Sequence, residues 1–136
     1  MNKNKSFLKS LQCASLGLAK PFVTERNMRI HFSVANLIIV FAHFYGLTKT
    51  EWAILFLAIG LVITAELVNT AVESAVDTAT SEVSQTAKTA KDTAAGAVLF
   101  AAIISVAGFL GFNLVLFVNR LINGLCSAEL IGLFKF

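Results

Sequence analysis

The chain has 136 residues, 57% of them hydrophobic and 14% charged, with a mean hydropathy of +0.77 and a formal net charge of +3. A water-soluble domain of this length needs more polar surface than that, so the composition places the chain in the membrane class. The small, scattered positive charge argues against nucleic-acid binding, and two cysteines at opposite ends, Cys13 and Cys126, make neither a disulfide framework nor a zinc site.

Residues 1–21 are basic and mixed. Phe7, Leu8, Leu11 and Leu18 form one face of a candidate surface helix over about 6–20, with Lys3, Lys5, Lys9 and Lys20 outside it. Pro21 is expected to interrupt that helix or to start a new one. There is no signal-peptide h-region, so the first residues are expected to stay in the mature protein. Three apolar runs follow, giving expected spans at about 28–47, 51–77 and 92–118. Gly46, Leu47, Thr48 and Lys49 read as a tight turn, and Trp52 as an interfacial anchor. The Thr- and Ser-rich stretch 78–89 reads as a loop. Small residues in the third run, among them Ala94, Gly96, Ala97, Ala101 and Gly108, suit close helix packing. The expected fold is all-α: a surface helix plus three transmembrane helices in a single domain.

Charge placement sets an expected orientation. Lys3, Lys5, Lys9, Lys20, Arg26 and Arg29 precede the first span, and Lys88 and Lys91 lie between spans two and three. Lys49, Arg120 and Lys135 fall on the other side. The excess puts the N-terminus in the cytoplasm and the C-terminus outside.

The chemistry concentrates in Ala65-Glu66-Leu67-Val68-Asn69-Thr70-Ala71-Val72-Glu73-Ser74-Ala75-Val76-Asp77. At about 100° per residue, Glu66, Asn69, Thr70, Glu73 and Asp77 share one stripe about 100° wide. A carboxylate at mid-membrane costs roughly 2.5–3.5 kcal/mol, against about 0.3–0.6 kcal/mol gained per large apolar residue. The stripe therefore belongs near the cytoplasmic boundary, with Glu66 deepest and Asp77 in water. Repulsion along it calls for a divalent metal, Lys91, or protonation of one member. Lys88, Lys91 and Asp92 before span three, and Glu25 to His31 before span one, are expected at the same level. With no His or Cys among the carboxylates, Mg²⁺ is the natural ion.

No Gly-rich phosphate loop and no protein-kinase motif accompanies these residues. The stripe could instead hold helices together or line an ion or proton path. His31 reads as an interfacial packing residue rather than a ligand. Arg26 and Arg29 fit anchoring of the span as well as a catalytic role.

Three stretches nevertheless resemble the prokaryotic diacylglycerol kinase family, especially its Gram-positive undecaprenol kinase branch: Thr24-Glu25-Arg26-Asn27-Met28-Arg29-Ile30-His31, the Glu66 segment above, and Ala87-Lys88-Thr89-Ala90-Lys91-Asp92-Thr93-Ala94-Ala95-Gly96-Ala97-Val98-Leu99. The resemblance covers roughly residues 6 to 118. It implies a homotrimeric helix bundle in the bacterial cell membrane that transfers the γ-phosphoryl group of Mg·ATP to a lipid alcohol, with undecaprenol first and diacylglycerol as the alternative. Carried over by position, Glu66 matches the general base. Glu25 and Glu73 match the metal-binding carboxylates. Lys91 and Asp92 match nucleotide-contacting residues, Asn69 matches a polar active-site residue beside the base, and Glu82 is grouped with the cofactor-binding residues. The chain departs from the family at Val83 and Ser84, where a Tyr-His pair is common, and at Cys13 and Pro21.

Overall fold

The computed structural model describes residues 3–80 and 84–133 and is helical throughout, in four elements: α1 (Lys3–Thr24), α2 (Arg26–Tyr45), α3 (Lys49–Ala79) and α4 (Gln85–Leu133). Three of them, α2, α3 and the Gln85–Leu116 part of α4, are long and apolar enough to cross a membrane. The most extensive packing is between α3 and α4. Helix α2 lies against α3, and α1 touches both α2 and α3.

The interhelical core is thin. Met28, Ala35 and Ala42 make a seam along α2 at a spacing of seven residues, and Leu55, Val98 and Ala101 complete it from α3 and α4. Bulky apolar side chains point outward instead: Phe41, Phe44, Leu57 and Phe100 are all well over half exposed. In water so much exposed apolar surface would drive aggregation, whereas hydrocarbon solvates it. Ser105 on α4 donates its hydroxyl proton to the carbonyl of Ala58 on α3 at 3.1 Å, a polar tie between two helices.

Helix boundaries follow from local chemistry. Gly46 ends α2 in the left-handed region (φ 73°, ψ 51°), a conformation that a Cβ would penalise. Thr48 then caps α3 in a capping box: Glu51 N–H donates to Thr48 Oγ1 (3.4 Å), and Thr48 N–H to Glu51 Oε2 (2.6 Å). That exchange accounts for a carboxylate with only 3% exposure at a helix start.

Two expectations are corrected. Helix α1 does not stop at Pro21 but runs through it to Thr24, and the break falls at Glu25. The proline forfeits one bond, to the carbonyl of Gly17, and Gly17 is exposed, so that carbonyl can find a polar partner outside the helix. The stretch 78–89 is loop only in part: Thr78 and Ala79 complete α3, α4 begins at Gln85, and residues 81–83 lie outside the described residues. Three of its hydroxyls serve the helices. Thr78 donates to Ser74 O (2.7 Å) and Thr89 to Gln85 O (2.9 Å), while Ser84 Oγ accepts the Ala87 N–H (3.1 Å) as the N-cap of α4.

Candidate active site

Along α3 one face changes character. Leu55, Ile59 and Val62 lie eleven, seven and four residues before Glu66, and Asn69 and Glu73 lie three and seven after it, so all share a side of the helix. The face is apolar up to Ile63 and polar from Glu66 onward. Exposure rises along the polar part: Glu66 and Asn69 are 3% exposed, Glu73 is half-buried, and the Asp77 side chain is 65% exposed.

Glu25 enters from the α1–α2 junction. It is extended (φ −94°, ψ 127°) and half-buried, and its carboxylate makes no capping bond to α2. Among the described residues it accepts only the Thr24 hydroxyl, at 3.0 Å. Glu25 and Glu73 both lie within electrostatic reach of Glu66, so three carboxylates gather where α2 begins and α3 turns polar. Among the described residues no Lys or Arg pairs with any of the three. Asn69 orders part of the cluster: its Nδ2 donates to Glu73 Oε1 at 2.9 Å. Its Oδ1 is buried without a partner, a costly arrangement unless a bound group supplies a donor or a cation.

The cations lie farther along. Lys91, half-buried in the first turns of α4, pairs with Asp77 (Nζ–Oδ1 2.5 Å) and so neutralises the outer end of the stripe. Asp92, Lys88, Arg26 and Arg29 are exposed. Glu82 and Val83 lie outside the described residues.

Among the described residues no three His, Cys, Asp or Glu side chains form a metal cage. Mg²⁺ is ordinarily held by one or two carboxylates plus substrate phosphates. An all-oxygen donor set of Glu25 and Glu73, beside the orphaned Asn69 carbonyl, fits that kind of ion.

Two cavities adjoin the cluster. A cleft of about 420 Å³ with a mixed lining lies between α1, the Thr24–Glu25 junction and α3, and Lys20, Thr24, Glu25, Thr70 and Ser74 contribute its polar groups. Sequence reading missed Lys20 and Ser74 as site residues. The signal was the four-residue step from Thr70 to Ser74, which puts two hydroxyls on one face. A second cavity of about 360 Å³ is an apolar crevice among α2, α3 and α4, with His31 in its wall. His31 is half-buried and within electrostatic reach of Glu66, which joins it to the site as well as to the packing around it. Its signal lay in its position between Met28 and Ala35 on the buried seam of α2.

Comparison with known proteins places these features in context. The sequence matches the family model described as prokaryotic diacylglycerol kinase over residues 12–112. It is 40% identical over 112 residues to the undecaprenol kinase of Bacillus subtilis, an alignment covering 82% of this chain and 91% of that protein. It is 43% identical over 102 residues to a diacylglycerol kinase of Synechocystis, covering 74% of this chain and 58% of that protein.

Proposed function

The chain belongs to the prokaryotic diacylglycerol kinase family and is a membrane lipid kinase, and on that premise we propose that it transfers the γ-phosphoryl group of Mg·ATP to the hydroxyl of undecaprenol at the cytoplasmic face of the bacterial cell membrane. The observation that carries this reading is the buried Glu66–Asn69–Glu73 face, met by Glu25 at the point where an apolar helix face turns polar.

Phosphoryl transfer asks mainly for positioning and charge neutralisation. Glu66, the deepest carboxylate, meets a lipid alcohol rising from the hydrocarbon and takes its proton as the oxygen attacks the γ-phosphorus. Glu25 and Glu73 hold Mg²⁺, with Asn69 fixing the Glu73 carboxylate. The bound ion would neutralise phosphate charge. Lys91, Asp92 and Glu82 contact the nucleotide, and Lys91 exchanges its Asp77 partner for phosphate when ATP arrives. The mixed cleft beside Glu25 gives the nucleotide room next to one of the metal ligands.

Diacylglycerol is the second reading for the acceptor, favoured by the similarity to the Synechocystis enzyme. The protomer works within a homotrimer. The thin core and the outward-facing Phe56, Leu57 and Leu61 of α3 support helix contacts beyond one chain. Helix α1 rests on the membrane surface, the N-terminus is cytoplasmic and the C-terminus is outside, in line with the distribution of Lys and Arg. The deciding experiment supplies labelled ATP and Mg²⁺ to the protein in mixed micelles holding undecaprenol and diacylglycerol side by side. Label entering undecaprenyl phosphate is expected. Label in phosphatidic acid alone selects the second reading, and label in neither lipid ends the kinase assignment.

A further inference from the structure

The apolar crevice is bounded by Ala35 and Ile38 on α2, Ile59 and Val62 on α3, and Ala102 and Val106 on α4, and two polar side chains stand in its wall. One of them, Ser105, is engaged: its hydroxyl donates to the Ala58 carbonyl. The other is His31. Among the described residues no hydrogen bond engages the His31 imidazole, whereas its neighbours on the α2 seam, Met28 and Ala35, are buried apolar groups. The imidazole is half-buried, so it keeps a donor and an acceptor free to meet a group entering the crevice.

The place of His31 supplies the partner. Val62 and Ile63 of the crevice stand one helical turn before Glu66, and His31 both lines the crevice and lies within electrostatic reach of Glu66. The cavity is therefore hydrocarbon along the spans, with His31 its one unengaged polar side chain among the described residues, on the side toward Glu66. We infer that this crevice receives the hydrocarbon chain of the acceptor alcohol, and that His31 binds its hydroxyl by donating an N–H to the hydroxyl oxygen while the hydroxyl proton faces Glu66. Such an oxygen keeps a lone pair for attack. The new O–P bond forms as the bond to the β-γ bridging oxygen breaks, ADP leaves with that electron pair, and the proton passes to Glu66. His31 thus selects a chain that ends in an alcohol over one that ends in a group unable to accept a hydrogen bond.

This inference rests on the kinase reading, and one experiment separates the two. Wild type, His31→Phe and His31→Gln are assayed in micelles, with undecaprenol varied at saturating Mg·ATP and then Mg·ATP varied at saturating undecaprenol. His31→Phe, which keeps the ring volume but has no N–H, is expected to lower kcat/KM for the lipid about 2- to 10-fold, the worth of one hydrogen bond, with the KM for Mg·ATP unchanged. His31→Gln, which restores a side-chain N–H, is expected to recover most of that loss. Equal losses toward lipid and ATP, a Gln variant as impaired as the Phe variant, or unchanged lipid kinetics in both would each overturn the role of His31. A wild type without lipid-dependent turnover would instead remove the kinase reading itself.

Discussion

Asn69 holds one oxygen of Glu73 through its Nδ2 at 2.9 Å while its own carbonyl oxygen, buried in the same cluster, has no donor. In the proposed site, Asn69 orients a metal ligand through its donor side. Replacing Asn69 with Leu is expected to free the Glu73 carboxylate and to raise the Mg²⁺ concentration for half-maximal activity about 10- to 100-fold, the usual cost of losing a group that orients a metal ligand. A Mg²⁺ titration of the variant checks this. Coincidence with the wild-type curve would detach Asn69 from the metal.

Glu66→Gln keeps shape and hydrogen bonding but cannot take a proton. Turnover is expected to fall roughly 10²- to 10⁴-fold, the range for a positioned general base, with nucleotide affinity retained. Single-turnover kinetics and equilibrium binding of an ATP analogue measure the two separately, and near-normal turnover would assign the base elsewhere.

Glu73→Gln removes a charge from the proposed metal site, and it is expected to abolish activity at Mg²⁺ levels that saturate the wild type. Chelation should silence the wild type and added Mg²⁺ restore it. An unchanged Mg²⁺ requirement in the variant would count against Glu73 as a ligand.

The Lys91–Asp77 pair lies at the surface, its side chains 37% and 65% exposed, so its net worth to stability is about 0–1 kcal/mol. Asp77→Asn is therefore expected to leave thermal unfolding in micelles nearly unchanged, whereas Lys91→Gln raises the KM for ATP. If both substitutions altered unfolding alike and neither altered KM, the lysine would be a structural tie only.

Far from the cluster, Thr48→Ala removes the acceptor that receives the Glu51 N–H and breaks the capping box of α3. A destabilisation of about 0.5–2 kcal/mol is expected, with unchanged KM for both substrates. A shift in KM would connect the two ends of α3.

The three apolar runs and the Glu66–Asp77 stripe were legible because each rests on helical periodicity, which sequence carries directly. The outcomes that differed depend on where polar atoms find partners. Thr78 and Thr89 look like loop residues by composition, yet each returns its hydroxyl to the carbonyl four residues back, so the helices extend through them. The Thr48-x-x-Glu51 pattern was present in the chain, but its consequence, a buried carboxylate with its own backbone partner, emerges only from the cap. His31 required tertiary structure: nothing local says that the residue on the buried side of α2 faces Glu66 on α3. The Asp77–Lys91 pairing, across fourteen residues, likewise depends on how α4 folds back beside α3.

The length of α3 links this site to the membrane around it. Measured from Trp52, the expected anchor in one headgroup layer, Glu66 lies about 21 Å along the axis, against a hydrocarbon thickness of about 30 Å. The carboxylate thus lies in the far third of the hydrocarbon, on the side of a boundary whose position is set by the host lipids. Longer acyl chains would submerge it and shorter ones would flood it with water, unless the helix tilts to compensate. Turnover should accordingly pass through a maximum as the acyl chains of reconstituted vesicles are lengthened, which makes the thickness of the surrounding bilayer a control on the reaction.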